Sequence, residues 1–239
     1  MLAILSYHKI GPPGPGAWET WYYVPRRTFE AQLDLLEEGG WQVLDIGAAL
    51  AAARDGSARL PERAALLTFD DGYRSVLEHA APLLAERGYP AVAFVPTAFV
   101  GRTSEWDSDT SEPPEALCSW DELRELEALG ISVQSHGVTH RAASRLGPTE
   151  LDGELAGSKA QLEEELGTPV ELFAFPYGDA GGGGVRAALV RAGYRGACLY
   201  GEGVVTEPAD DPFALPRLAI GSDTDLAAVL TGAHPPAAS

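Results

Sequence analysis

Short apolar runs alternate with amphipathic stretches along nearly the whole chain. Leu2 to Tyr7, Trp41 to Asp45, Ala65 to Phe69, Ala91 to Val95, Ile131 to Gln134, Val170 to Phe175 and Arg195 to Leu199 each read as a buried strand. Between them, apolar positions recur at helical spacing over 28–39, 46–55, 73–87, 119–129, 148–166 and 184–192. Ser119-Trp120-Asp121-Glu122 opens one of these helices with a capping box, its hydroxyl and carboxylate able to satisfy orphan N–H groups of the first turn. Alternating strands and helices imply a parallel sheet with right-handed crossovers, so the fold class is α/β. Seven strands fit a closed or nearly closed barrel better than an open sheet, and either architecture puts the chemistry at strand C-termini.

Composition changes little in this picture. The 239 residues are 45% hydrophobic and 22% charged, enough to bury the core of one domain spanning 1–239, with a frayed C-terminal tail at about 233–239. Charge excludes more: 35 acidic against 17 basic residues give a net charge of −18, which repels phosphate backbones and argues against nucleic acid as a partner. The first apolar run is too short for a signal peptide or a membrane span, so the expectation is a cytoplasmic protein as the sequence is written. An extracellular or periplasmic location follows if a leader has been removed. Cys118 and Cys198 form no disulfide framework and read as small buried hydrophobes.

Polar groups that a core strand would not choose stand at three strand ends. Thr68-Phe69-Asp70-Asp71-Gly72 places two adjacent carboxylates where their mutual repulsion calls for a cation or a shared proton, or, more blandly, where Asp71 caps the following helix. Ser135-His136-Gly137-Val138-Thr139-His140 spaces two imidazoles four residues apart, on one face if the segment turns helically, which suits one metal ion or a pair of satisfied core histidines. Phe173-Ala174-Phe175-Pro176-Tyr177-Gly178 ends an apolar run on a rigid turn that can aim the Tyr177 backbone N–H at a pocket. The three together converge on one barrel mouth.

These residues resemble the carbohydrate esterase family 4 polysaccharide deacetylases, the chitooligosaccharide deacetylase homology domain, from about residue 2 to 220. The order TFDDG, HxxxH and PYG carries the resemblance, with Ile4-Leu5-Ser6-Tyr7-His8, Ser119-Trp120 and Leu215-Pro216-Arg217 as flanking text. The chain looks most like the poly-N-acetylglucosamine deacetylase branch. That resemblance implies a distorted (β/α)7 barrel and metal-dependent removal of N-acetyl groups from amino sugars, with a carbohydrate as substrate. It implies Asp71, His136 and His140 as metal ligands, Asp70 as base, and Pro176-Tyr177 as the turn that contacts the oxyanion. Such a ligand set suits Zn²⁺, or Co²⁺, Ni²⁺ or Mn²⁺ in its place.

Three departures from the family pattern stand out. The late Leu-His pair that protonates the leaving amine is absent; His8, at the exit of the first strand, is the candidate acid, and His234 lies in the Pro/Ala-rich tail. Ala174 stands where the family has an arginine that orients the base, and Arg217 either replaces it from a late strand-like segment, Phe213 to Ile220, or forms a surface ion pair. Gly137 replaces a usual serine or threonine. Trp18, Trp21, Tyr22, Tyr23 and Trp106 offer faces for sugar stacking or form a hydrophobic lid, with Trp21 the candidate substrate contact. Two other readings remain: an amidase for a small N-acylated metabolite, and a sugar-binding barrel that has lost turnover.

Overall fold

Period-two alternation decides which strand side chains meet inside a closed sheet and which face the helices around it. The computed structural model describes residues 1–13, 20–55, 60–106, 113–201, 203–205, 209 and 211–231; Trp18, His234 and the tail at 233–239 lie outside them. β1 (Leu2–Tyr7) and the two-residue β2 (Lys9–Ile10) and β3 (Tyr23–Val24) lead into α1 (Arg26–Glu38), β4 (Gln42–Val43) and α2 (Ile46–Asp55). β5 (Ala64–Phe69), α3 (Ala81–Arg87), β6 (Ala91–Val95), α4 (Trp120–Ala128), β7 (Ile131–Ser135) and α5 (Pro148–Leu166) follow. The chain then runs through β8 (Leu172–Ala174), α6 (Val185–Ala192), β9 (Gly196–Tyr200), β10 (Leu215–Ala219) and α7 (Leu226–Leu230).

The sheet runs β1-β10-β9-β8-β7-β6-β5 and closes because β1 pairs with β5 as well, in register from Leu2 opposite Ala64 to Tyr7 opposite Phe69. All pairs in this ring are parallel, making one (β/α)7-type barrel domain. The ring differs from expectation in one member. Trp41 to Asp45 supplies only β4, which bonds to the first half of β5 (Gln42 opposite Ala64), below the stretch that β6 occupies (Thr68 opposite Val92). The seventh ring strand is β10, whose Pro216 and Arg217 interrupt the apolar run that marks its neighbours. The helix expected over 73–87 is also split: Val76–Ala80 is a π-turn before α3, because Pro82 has no N–H to return to Glu78.

Inside the ring lie Leu2, Ile4, Leu66, Val92, Phe94, Leu172 and Cys198, closed from below by Ala49, Leu50 and Ala53 of α2. The opposite faces of the same strands, among them Leu5, Tyr7, Leu67 and Phe69, pack on Phe29, Leu33 and Leu36 of α1 and on the other helices. Each fully buried leucine or phenylalanine contributes about 1.5–3 kcal/mol. Toward the strand C-termini the inward series turns polar: Ser6, Thr68, Asp70, Gln134, His136 and Arg217 are all buried. Among the described residues no helix is long and apolar enough to cross a membrane.

Candidate active site

The inward alternation of β5 through Ala64, Leu66 and Thr68 continues to Asp70, whose backbone N–H donates to the Tyr7 carbonyl at 2.9 Å. From β10, Arg217 meets it as a fork, Nη1 donating to Oδ1 at 2.6 Å and Nη2 to Oδ2 at 2.7 Å, with Nη1 also 3.3 Å from the Thr68 hydroxyl. The guanidinium is 0% exposed and lies 5.2 Å from the ring centroids of both Phe94 and Tyr200. A charge so deep is tolerable only when paired and hydrogen-bonded. Burial would push the Asp70 carboxyl up, but Arg217, helped by His136 and His8, outweighs it, and the pKa falls to about 2.

His8 emerges at the end of β1. Its Nε2 stands 3.0 Å from the Tyr200 hydroxyl and 4.0 Å from Asp70 Oδ2, and the Tyr200 hydroxyl donates to that same Oδ2 at 3.1 Å. Burial lowers the His8 pKa from its ordinary value, against the pull of the two aspartates.

Asp71 leaves the strand with φ 73°, turning its carboxylate away from the arginine. Its Oδ1 lies 3.4 Å from His136 Nε2 and 3.1 Å from His140 Nε2, and one ligand atom from each of the three residues lies within 4.8 Å of the others. Burial acts to raise the Asp71 pKa; the imidazoles outweigh it and hold it well below the usual carboxylate range. The His136 Nδ1 is 2.8 Å from the Ala174 carbonyl, an acceptor only, so Nδ1 carries a hydrogen and, in the neutral ring, Nε2 presents a lone pair. That lone pair faces a buried carboxylate oxygen that has no hydrogen-bond donor. An anion facing lone pairs is repulsive unless a cation sits between them, and one carboxylate with two imidazoles is a donor set for a divalent transition metal.

The two histidines do not meet on a helix, as their spacing suggested. The backbone turns instead through Gly137 at φ 82° and His140 at φ 55°. Glu154 of α5 holds this turn: its Oε2 accepts the N–H groups of Val138 (2.6 Å) and Thr139 (2.8 Å), and its Oε1 accepts the Thr139 hydroxyl. A Cβ on Gly137 would stand 3.0 Å from Oε2, so the glycine leaves room for the clamp.

Pro176 and Tyr177 form the third wall. Pro176 is buried and Tyr177 turns at φ 59°, the residue 56% exposed and its ring centroid 4.8 Å from that of His140. Asp71, His140 and Tyr177 are the non-glycine residues with positive φ among those described, and all three surround the same space. Backbone strain of this kind, roughly 1–3 kcal/mol per residue, persists where the surroundings over-determine it. The space is a cavity of about 240 Å³ whose walls include His8, Tyr22, Asp71, Trp106, His136 and Tyr177. Trp106 stacks 4.4 Å over His140.

The sequence-derived candidates Asp70, Asp71, His136, His140, His8, Arg217, Pro176 and Tyr177 are thus gathered at one barrel mouth. Trp21 is not among the residues lining the cavity: it is 45% exposed and packs on Tyr22 at 4.2 Å, and Tyr22 is the member of the pair that faces inward. Tyr200, Lys9 and Tyr73 also line the site, though no sequence motif points to them. For Tyr200 the signal was its place two residues beyond Cys198 in the inward series of β9, a strand expected to stop at Leu199.

A sequence model of the family described as polysaccharide deacetylase matches residues 57–197. The putative polysaccharide deacetylase YxkH of Bacillus subtilis is 28% identical over 208 residues, which cover 87% of this chain and 65% of that protein. The poly-beta-1,6-N-acetyl-D-glucosamine N-deacetylase of Escherichia coli K12 is 26% identical over 253 residues, covering 93% of this chain and 37% of that enzyme. The chain therefore spans less than two thirds of the length of each. Among solved structures, IcaB from Ammonifex degensii superposes with a TM-score of 0.80 at 29% identity, covering 97% of this chain and 95% of that one. The Streptococcus pyogenes deacetylase PplD, determined with acetate, shares the fold at a TM-score of 0.83 and 22% identity, covering 98% of both chains.

Proposed function

Because the chain belongs to the polysaccharide deacetylase family, we propose that it is a metal-dependent hydrolase removing N-acetyl groups from saccharides that contain N-acetylglucosamine. One observation carries the reading: two adjacent buried aspartates face different partners, Asp70 an arginine and Asp71 two imidazoles. Asp71, His136 and His140 would hold the ion, with zinc the first choice for this donor set and cobalt, nickel or manganese alternatives. A divalent cation there supplies a Lewis acid that acidifies water and polarises the amide carbonyl.

The protein's own groups do the rest. Asp70, kept ionised by Arg217, takes a proton from the attacking water as the new carbon–oxygen bond forms. The Tyr177 N–H donates to the oxygen that becomes negative, as preorganised backbone donors do in acyl transfer. His8, entering the step as the imidazolium, delivers its Nε2 proton to the amine nitrogen as the carbon–nitrogen bond breaks and is left as the neutral ring, releasing acetate and a free amino sugar. Support for a poly-N-acetylglucosamine substrate comes from the Escherichia coli relative and the likeness to IcaB. Aromatic walls from Tyr22 and Trp106 suit the apolar faces of sugar rings.

The test is acetate release from β-1,6-linked N-acetylglucosamine oligomers by metal-loaded and chelator-treated protein. Asp71→Asn is expected to lose metal and turnover together, whereas Asp70→Asn keeps metal and loses turnover. Equal metal loss in both variants would overturn the division of roles. Acetate from small N-acetyl compounds but not from oligomers would move the assignment to an amidase, and saccharide binding with no acetate from any metal form would leave a sugar-binding barrel.

A further inference from the structure

The family match ends at residue 197, yet the groups that surround Asp70 and His8 on the side away from the histidines come from beyond it, Tyr200 and Arg217. The Tyr200 hydroxyl lies between the two reacting groups, 3.1 Å from Asp70 Oδ2 and 3.0 Å from His8 Nε2. A phenol has one hydrogen to give. Asp70, gripped by both Arg217 nitrogens, is a carboxylate that only accepts, so the Tyr200 hydrogen goes to Oδ2. The phenol oxygen is then left to accept; the Ser6 hydroxyl also bears on it, and His8 Nε2, facing the same oxygen at 3.0 Å, must carry a hydrogen pointing at it. The Tyr200 ring is fixed from two sides. Arg217 lies 5.2 Å from its centroid, and a Cβ on Gly178 would come within 2.6 Å of its Cδ2, so the Pro176–Gly178 turn presses on it.

We propose that Tyr200 is a positioning residue whose hydroxyl ties His8 to Asp70 and keeps a hydrogen on Nε2 of His8, the nitrogen from which a leaving amine takes it. The inference rests on the deacetylase reading for His8's part in the reaction, but the hydrogen bond itself does not depend on it.

Tyr200→Phe keeps the wedged ring and removes the bridge. Metal content and KM are expected to stay within about twofold of the parent, while kcat falls roughly 10- to 100-fold, the size of effect that small misplacements of reacting groups produce. In the His8→Ala background the same substitution is expected to add no further loss. With ¹⁵N-labelled histidine, His8 is expected to show a protonated Nε2 in the parent and altered ring-nitrogen signals in Tyr200→Phe. Parental kcat with unaltered His8 signals would overturn the proposal, as would an undiminished loss in the His8→Ala background. Should the parent release no acetate from any substrate, the deacetylase reading fails, and the nitrogen signals still decide the bridge: a shift supports it and no shift overturns it.

Discussion

Asp70 and Asp71 follow one another in the chain, and the two halves of the site built around them are stabilised by different means. The Asp70 half is made inside the barrel from strand residues. Its arginine, its tyrosine and Phe94 sit on β10, β9 and β6, held by sheet register and core packing. The Asp71 half is made above the barrel from turns with positive φ at Asp71, Gly137 and His140, and its shape depends on one carboxylate, Glu154, reaching across from a helix. In the first half both Asp70 oxygens have donors from the protein. The second leaves a buried carboxylate oxygen without a donor, which a cation would satisfy. An arginine-paired carboxylate inside the barrel beside a turn-built carboxylate and imidazole cluster points two like charges at different partners.

Removing Arg217 upsets this contrast most severely. Arg217→Leu is expected to cost about 3–5 kcal/mol in denaturant unfolding, since it strands a buried carboxylate. A loss under about 1 kcal/mol would mean that the Asp70 half does not depend on its arginine.

Acid tests the same half without mutation. Asp70 titrates at about 2 when folded against an ordinary 3.8. Because the folded value is the lower one, its stabilisation is fully present above pH 3.8 and disappears as the pH falls from there to about 2. Roughly 2 kcal/mol of stability is expected to vanish over that window, and Arg217→Leu should not show this loss. An acid limb of equal depth in both proteins would contradict the assignment.

The Asp71 half is probed more gently by Glu154→Ala, which frees the Val138–Thr139 turn and touches no ligand. Metal affinity, measured by competition with a chromogenic chelator, is expected to fall roughly tenfold, the lower range for groups that orient ligands indirectly. Unchanged affinity would show that the turn keeps its shape without the clamp.

How far the sequence discloses this arrangement follows the same division. Asp70, Asp71, His136 and His140 are legible because dense polar chemistry interrupts apolar strands within a few residues. Six of the seven ring strands, β1 and β5 to β9, are legible for the complementary reason, since buried parallel strands write largely apolar runs. β10 reads as strand-like over Phe213 to Ile220 but not as a ring member, because Arg217 and the proline before it disrupt the run, and Trp41 to Asp45 looked like a better ring strand. Glu154 is a single residue whose partner lies 15 positions away, so no local pattern marks it, and Tyr200, 130 positions from Asp70, is marked only by its place in the inward series of β9. Of the neighbours Trp21 and Tyr22, which one turns inward is settled by packing and not by type.

Ring closure has an implication for how the molecule is made. β1 is bordered by β5 and by β10, so synthesis from the N-terminus delivers one neighbour early and the other about 150 residues later. Until Leu215–Ala219 slides between the first strand and β9, both of those edges stand open and Asp70 has no guanidinium to face. Completion of the cylinder and pairing of the Asp70 carboxylate are therefore a single late event, and a chain cut short before Arg217 would carry His8, His136, His140 and both aspartates yet lack the guanidinium that grips the first of them.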